Sequence, residues 1–241
     1  AVGYAAGKLV TTGEQNTLIG REAGQAGNLS QATLIGGAAG YAMTTATESV
    51  GVGYAALLST TTGSSNTSVG WFSMYANTTG GSNTAIGAGA LDANTTASYN
   101  TGVGVNALGA NTTGANNTAV GWAALNVNTT AANNTGIGGS ALGANTTGAG
   151  NTAVGRNALS ASTTGSSNVA VGYTTLDAHT TGDYNVGMGY AALGAETTGS
   201  SNTAVGSSAL SLQVGASNNT AMGRNAGAAN LVNNLAAFGM N

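Results

Sequence analysis

Residues 117–133 read Asn-Thr-Ala-Val-Gly-Trp-Ala-Ala-Leu-Asn-Val-Asn-Thr-Thr-Ala-Ala-Asn, and at residue 134 the phrase starts again. Working outward in both directions, Asn66, Asn83, Asn100, Asn117, Asn134, Asn151, Asn168, Asn185, Asn202 and Asn219 recur every 17 residues. Four residues after each comes a glycine of one column: Gly53, Gly70, Gly87, Gly104, Gly121, Gly138, Gly155, Gly172, Gly189, Gly206 and Gly223. Gly3, Gly20 and Gly36 extend the column on one side and Gly239 on the other. The spacing slips by a single residue only between Gly20 and Gly36 and between Gly223 and Gly239. Internal self-similarity at a fixed period is the signature of a repeat architecture. Positions are numbered below from the asparagine as one, which makes the glycine position five.

Seventeen residues are too few for a helix-turn-helix unit, and Gly, Asn and Thr in every copy oppose helix on propensity. Two short strands and two turns fit. The expected fold is therefore all-β, a parallel β-solenoid of about 15 coils in which each column stacks on itself at about 4.8 Å, a rod of about 70 Å. The absence of proline agrees, because a proline removes an N–H from the ladder. Residues 1–241 read as a single repeat domain, expected to be a fragment of a longer fibre chain because neither end carries a recognisable cap.

Each column reports an environment. Position two is β-branched from Val50 to Thr220, and position four is aliphatic, as in Val69, Ile86, Val103, Val120 and Met188. These two share a strand face and are expected to point into the coil. Position three stays small, as in Gly51, Ser68, Ala85 and Ala119. It points the other way and is expected to pack against another chain. Leucine at position nine, from Leu57 to Leu210, is expected on a second strand.

The chain has 41 glycines, no cysteine and 11 charged side chains, about 5% against roughly 25% in an ordinary soluble domain. That stock excludes most acid–base, nucleophilic and metal chemistry, so no enzyme, metal or cofactor is expected. A formal net charge of -3 lacks the basic footprint of a nucleic-acid binder. No apolar run approaches the 18 residues that would suggest membrane insertion. All charges and His179 fall at positions six, seven, ten, twelve, sixteen or seventeen, expected to be outer turns. Like charges stacked about 5 Å apart destabilise, which accounts for their rarity. His179, at position twelve, is expected to be solvated in an outer asparagine ladder. Asp177, His179 and Asp183 make a poor metal set, and Gly102 to Gly104 lacks the βαβ context of a phosphate loop.

The phrase Asn-Thr-Ala-Val-Gly-x-x-Ala-Leu-x-x-Asn-Thr-Thr-Gly, carried with small departures by 117–131 and 151–165, resembles the head repeats of trimeric autotransporter adhesins and the related repeats of phage tail fibres. The coil is longer than the adhesin version, and its second Asn-Thr-Thr-Gly turn is closer to the fibre one. The resemblance implies a left-handed β-roll assembled side by side as a homotrimer, located in a virion tail fibre or at a bacterial cell surface. The expected function is a structural and adhesive shaft segment supporting host or surface attachment. Position six carries Tyr4, Tyr54, Trp71, Trp122, Tyr173 and Tyr190, a candidate stripe for contact with host cell-surface polysaccharide. The alternative is an ice-binding solenoid using the threonine columns at Thr61 to Thr197 and Thr62 to Thr198; adjacent threonines face opposite ways, so only one column can point outward.

Overall fold

The computed structural model describes residues 1–229 and 231–239; Asn230, Met240 and Asn241 lie outside the described residues. The chain divides into two compact units, Ala1–Asn117 and Thr118–Asn241. Each is a parallel β-solenoid with one three-residue strand per coil. The first unit holds β1 (Thr17–Ile19), β2 (Thr33–Ile35), β3 (Val50–Val52), β4 (Thr67–Val69), β5 (Thr84–Ile86) and β6 (Thr101–Val103), paired in sequence order. Val2 bridges Ile19 in parallel ahead of them. The second unit holds β7 (Thr118–Val120), β8 (Thr135–Ile137), β9 (Thr152–Val154), β10 (Val169–Val171), β11 (Val186–Met188), β12 (Thr203–Val205), β13 (Thr220–Met222) and β14 (Ala236–Phe238), again in order. Register follows the repeat. Thr152 pairs Val169 seventeen residues on, while Thr17↔Thr33 and Thr220↔Ala236 carry the two single-residue slips.

The strand sits the other way round from the sequence-based expectation. In β9 the small residue Ala153 is fully buried and its neighbours Thr152 and Val154 are half-exposed, and the same alternation holds in β3 to β13. Position three therefore lines the coil interior, and positions two and four form the outer face. The reason is width. The leucine of position nine, as in Leu125, Leu142 and Leu159, occupies the interior and is fully buried, so the residue opposite must be small. In two of the four coils whose position nine is glycine, those of Gly24 and Gly40, position three becomes Leu18 and Leu34, whereas at Gly7 and Gly227 it is Ala1 and Ala221. A Cβ on Gly24 or Gly40 would strike those leucine methyls.

Among the described residues the expected second strand does not form. Positions seven and nine both take left-handed backbone, as at Asn157 (φ 58°) and Leu159 (φ 51°), and position seventeen does so at Ser167 (φ 58°). Non-glycine residues adopt this region uncommonly, and for a bulky leucine it is an outlier. Here it recurs coil after coil because the curl folds the leucine back over the strand, and burial of its side chain offsets the backbone cost. The turn is held by bonds within the coil and to the next one. Leu159 N–H donates to Thr175 O (3.0 Å), and Ser162 N–H to Leu159 O (3.2 Å).

Beside the small buried residues of position eight, as in Ala107, Ala124 and Ala141, the interior is polar at positions one and twelve. The asparagines of position one from Asn66 to Asn219 and the position-twelve residues from Thr60 to Gln213 are buried, where they take up the carbonyls and N–H groups that a coil this tight cannot pair through strands. Asn83 donates to Ala97 O (2.9 Å), and its Oδ1 accepts the backbone N–H of Asn100 in the next coil (2.9 Å). Asn94 donates to that same Ala97 carbonyl (3.1 Å) and to Asn77 Oδ1 (2.9 Å). The asparagine ladder expected on the outside at position twelve runs inside the coil, as does the one at position one.

Candidate functional site

The position-six aromatics reach the surface because the glycine before each one turns the chain sharply off the strand. That glycine has φ near 135°, and a Cβ on it would meet the equivalent glycine carbonyl of the next coil, as Gly155 would meet Gly172 O. Tyr4, Tyr54, Trp71, Trp122, Tyr173 and Tyr190 are all exposed. They do not form one uniform stripe. In the first unit Trp71 stands edge-on to Phe72 (centroids 4.3 Å apart), and Phe72 contacts Tyr54 (5.6 Å) and Tyr75 (4.9 Å). In the second unit Tyr173 and Tyr190 stack at 5.9 Å, with the Arg156 guanidinium 5.9 Å above the Tyr173 ring.

Phe72 and Tyr75 were not singled out in the sequence. The signal for Phe72 was a departure from the column pattern, since position seven is otherwise small or polar; Tyr75 shares position ten with Tyr41. The three bulky rings of one coil stand beside Ala88 and Gly89 of the next, and this step makes a shelf of about 430 Å³ lined by Trp71, Phe72, Tyr75, Asp92, Val105 and Asn106. Partial burial raises the Asp92 carboxyl above the ordinary 3.8, against the opposing pull of its hydrogen bonds to the Ala93 and Asp92 backbone. The shelf thus offers aromatic faces beside a carboxylate and a carboxamide, groups suited to stacking on a ring and accepting its hydroxyl protons.

The threonine columns differ from one another. Thr61, Thr78, Thr146 and Thr163, at position thirteen, each donate the hydroxyl to the threonine carbonyl one coil on (3.0–3.2 Å), so those hydroxyls are engaged in the ladder. Thr62, Thr79 and Thr164 at position fourteen are exposed. Among the described residues no three His, Cys, Asp or Glu side chains lie where they could hold a metal ion, and no helix is long and apolar enough to cross a membrane.

Two titratable groups expected on the outside are instead in the core. His179 and Glu196 are both fully buried. The Glu196 carboxylate is satisfied by the N–H groups of Thr198 (3.0 Å), Gly199 (2.6 Å) and Gly215 (2.9 Å) and by Gln213 Nε2 (2.8 Å). Burial lowers the pKa of His179, opposed by the charges of Glu196 and Asp183 and by the Gly182 backbone. With the folded-state value below 6.5, the unfolded chain binds a proton that the fold refuses. Stability is full above about pH 6.5 and falls as pH drops below it. Asp92 and Asp177, both raised by burial, contribute the opposite slope at lower pH. Thermal melts at pH 7.5 and 5.5 are expected to show a lower Tm at the acid value, and His179→Gln is expected to remove most of that difference. An undiminished difference in the variant would assign the acid sensitivity elsewhere.

No protein family, curated protein or solved structure matches this chain.

Proposed function

We propose that this chain is a structural and adhesive fibre segment, of the kind found in phage tail fibres and bacterial surface adhesins. It works by assembling side by side with two further copies of itself and supporting attachment to a host or surface. The observation that carries the reading is the outer strand face. Ile86 (41% exposed), Ile137 (39%), Met188 (44%) and Met222 (47%) stand in an uncharged aliphatic column, flanked by the β-branched column of position two. A column of apolar side chains repeated every coil is what a lateral partner would cover. Position three, inside the coil, does not serve as the interface, and the association surface is the face formed by positions two and four. The same columns repeat along each unit, so one pairing geometry serves the coils of that unit.

Sedimentation equilibrium tests the assembly. A species three times the 22.9 kDa chain mass is expected, and Ile86→Lys with Ile137→Lys is expected to shift it to monomer, since the lysines would be buried unpaired. A wild-type monomer at micromolar concentration would overturn the proposal.

The exposed aromatics suit contact with surface polysaccharide, and the Trp71 shelf is where that contact is strongest. Its volume lies in the usual range for small-ligand sites. In a glycan-array measurement Trp71→Ala is expected to weaken binding about tenfold, the equivalent of about 1.4 kcal/mol. Trp122→Ala, which removes an isolated ring, is expected to change it less. Binding that survives both substitutions at full strength would remove the glycan role and leave the shaft role standing.

A further inference from the structure

The Trp71 shelf is built from three columns across three successive coils. At positions six, seven and ten the first coil carries Trp71, Phe72 and Tyr75, the second Ala88, Gly89 and Asp92, and the third Val105, Asn106 and Gly109. Backbone bonds hold these coils in register. Gly89 N–H donates to Trp71 O (3.0 Å), Ala76 N–H to Asp92 O (2.8 Å) and Asn106 N–H to Ala88 O (3.0 Å). The small residues of the middle coil leave a notch with three rings on one side. Asn106 leans in from the other, since a Cβ added to Gly89 would lie 2.6 Å from Asn106 Oδ1.

The charge on this shelf is one-sided. Asp92, half-buried in the middle coil, is the sole charged side chain between Glu48 and Arg156. The basic residues of its unit are Lys8 and Arg21. The nearer, Arg21, lies four coils before Asp92, about 19 Å along the stack, well beyond the screening length of about 8 Å at physiological salt. Burial, which raises the Asp92 carboxyl, is thus not offset by a counter-charge from the unit, and a partly desolvated charge without one is costly.

The second unit shows the same kind of ring with a cation supplied. There Arg156, at position six, stands 5.9 Å over the ring of Tyr173 one coil on. Around Trp71 the adjoining position-six residues are Tyr54 and Ala88, so the column brings no cation to these rings. Phe72 lies 4.3 Å from Trp71 at 86° and 4.9 Å from Tyr75, centroid to centroid. A ring face attracts a cation within about 6 Å of its centroid, so rings this close can share one. We propose that the shelf binds an organic ammonium cation, held on the faces of Trp71, Phe72 and Tyr75 with Asp92 as its counter-charge. The inference rests on the polysaccharide reading of this shelf and specifies the substituent recognised there, a choline-type quaternary ammonium or the protonated amine of an amino sugar.

Fluorescence titration tests it in the full chain carrying Trp122→Phe, which leaves Trp71 as the sole tryptophan. The probes are choline chloride, glucosamine hydrochloride and the uncharged alcohol that carries carbon in place of choline's nitrogen. At least one of the two cations is expected to bind about tenfold more tightly than the uncharged alcohol. Whichever cation binds more tightly identifies the substituent. Asp92→Asn, which keeps the size and removes the charge, is expected to abolish most of the preference. Equal binding of the uncharged alcohol, a preference that Asp92→Asn leaves intact, or no saturable binding of either cation would overturn the inference. In the glycan array, Trp71-dependent binding of uncharged glycans alone would also overturn it while leaving the polysaccharide reading standing. Cation binding in the titration with a silent array would do the reverse.

Discussion

Replacing Gly155 with alanine is expected to cost about 3–5 kcal/mol of stability, among the largest effects a single methyl can have in this chain. Two causes act together. The backbone at Gly155 has φ +135°, a region that side chains rarely adopt. An added Cβ would also collide with the carbonyl of Gly172 in the next coil. That carbonyl belongs to a residue whose own N–H donates to Val154 O at 2.8 Å, so the next coil cannot recede without stretching the ladder. Asn157→Gly, two residues on, is the matched control. Asn157 is already left-handed (φ 58°), so glycine relieves backbone strain there and should change stability by no more than about 1 kcal/mol. Urea denaturation of the two variants reads the contrast. Equal midpoints would mean that the glycine column is not a packing requirement.

Asn151→Leu is expected to destabilise by about 2–6 kcal/mol although leucine nearly matches asparagine in size and is the more apolar residue. Asn151 Nδ2 donates to Gly165 O (2.8 Å), and its Oδ1 accepts the backbone N–H of Asn168 (2.9 Å) and that residue's Nδ2 (3.2 Å). Both backbone groups lie in buried residues. Leucine would leave a carbonyl and an N–H without partners, each costing about 1–3 kcal/mol. In an ordinary apolar core the same substitution would be neutral or favourable, so the sign of the change distinguishes the two kinds of interior. Thr164→Ala on the exposed threonine column should stay within about 0.5 kcal/mol, and an Asn151→Leu midpoint equal to it would refute the polar-ladder account.

The glycine column and its two slips were readable as register. A stacked coil can absorb an odd residue only in a turn, and the strands pair across each slip as the spacing requires. Which strand face lies inside was not readable from hydropathy, which favours Val154 over Ala153 as the buried residue. The clue lay in the exchange at Gly24 with Leu18 and at Gly40 with Leu34, where one large and one small side chain trade places across a narrow interior. His179 and Glu196 were placed outside by their polarity. They are inside because the coil's curled half turns its own carbonyls and N–H groups inward, and these need polar partners. The aromatic stripe was legible as six exposed residues, whereas its focus at Trp71 depends on Phe72, the one large apolar residue at position seven, and on its contact with Tyr75.

The seventeen-residue period by itself determined the parallel stacking, the register of every strand and the scarcity of charge, because each follows from side chains repeating above their own copies. Only the tertiary structure decided the inside from the outside. Alternation along a strand assigns positions two and four to one face and position three to the other, but leaves open which face is the core. That choice was made by the left-handed turn at position nine, which swings a leucine into a space too narrow for a second large side chain.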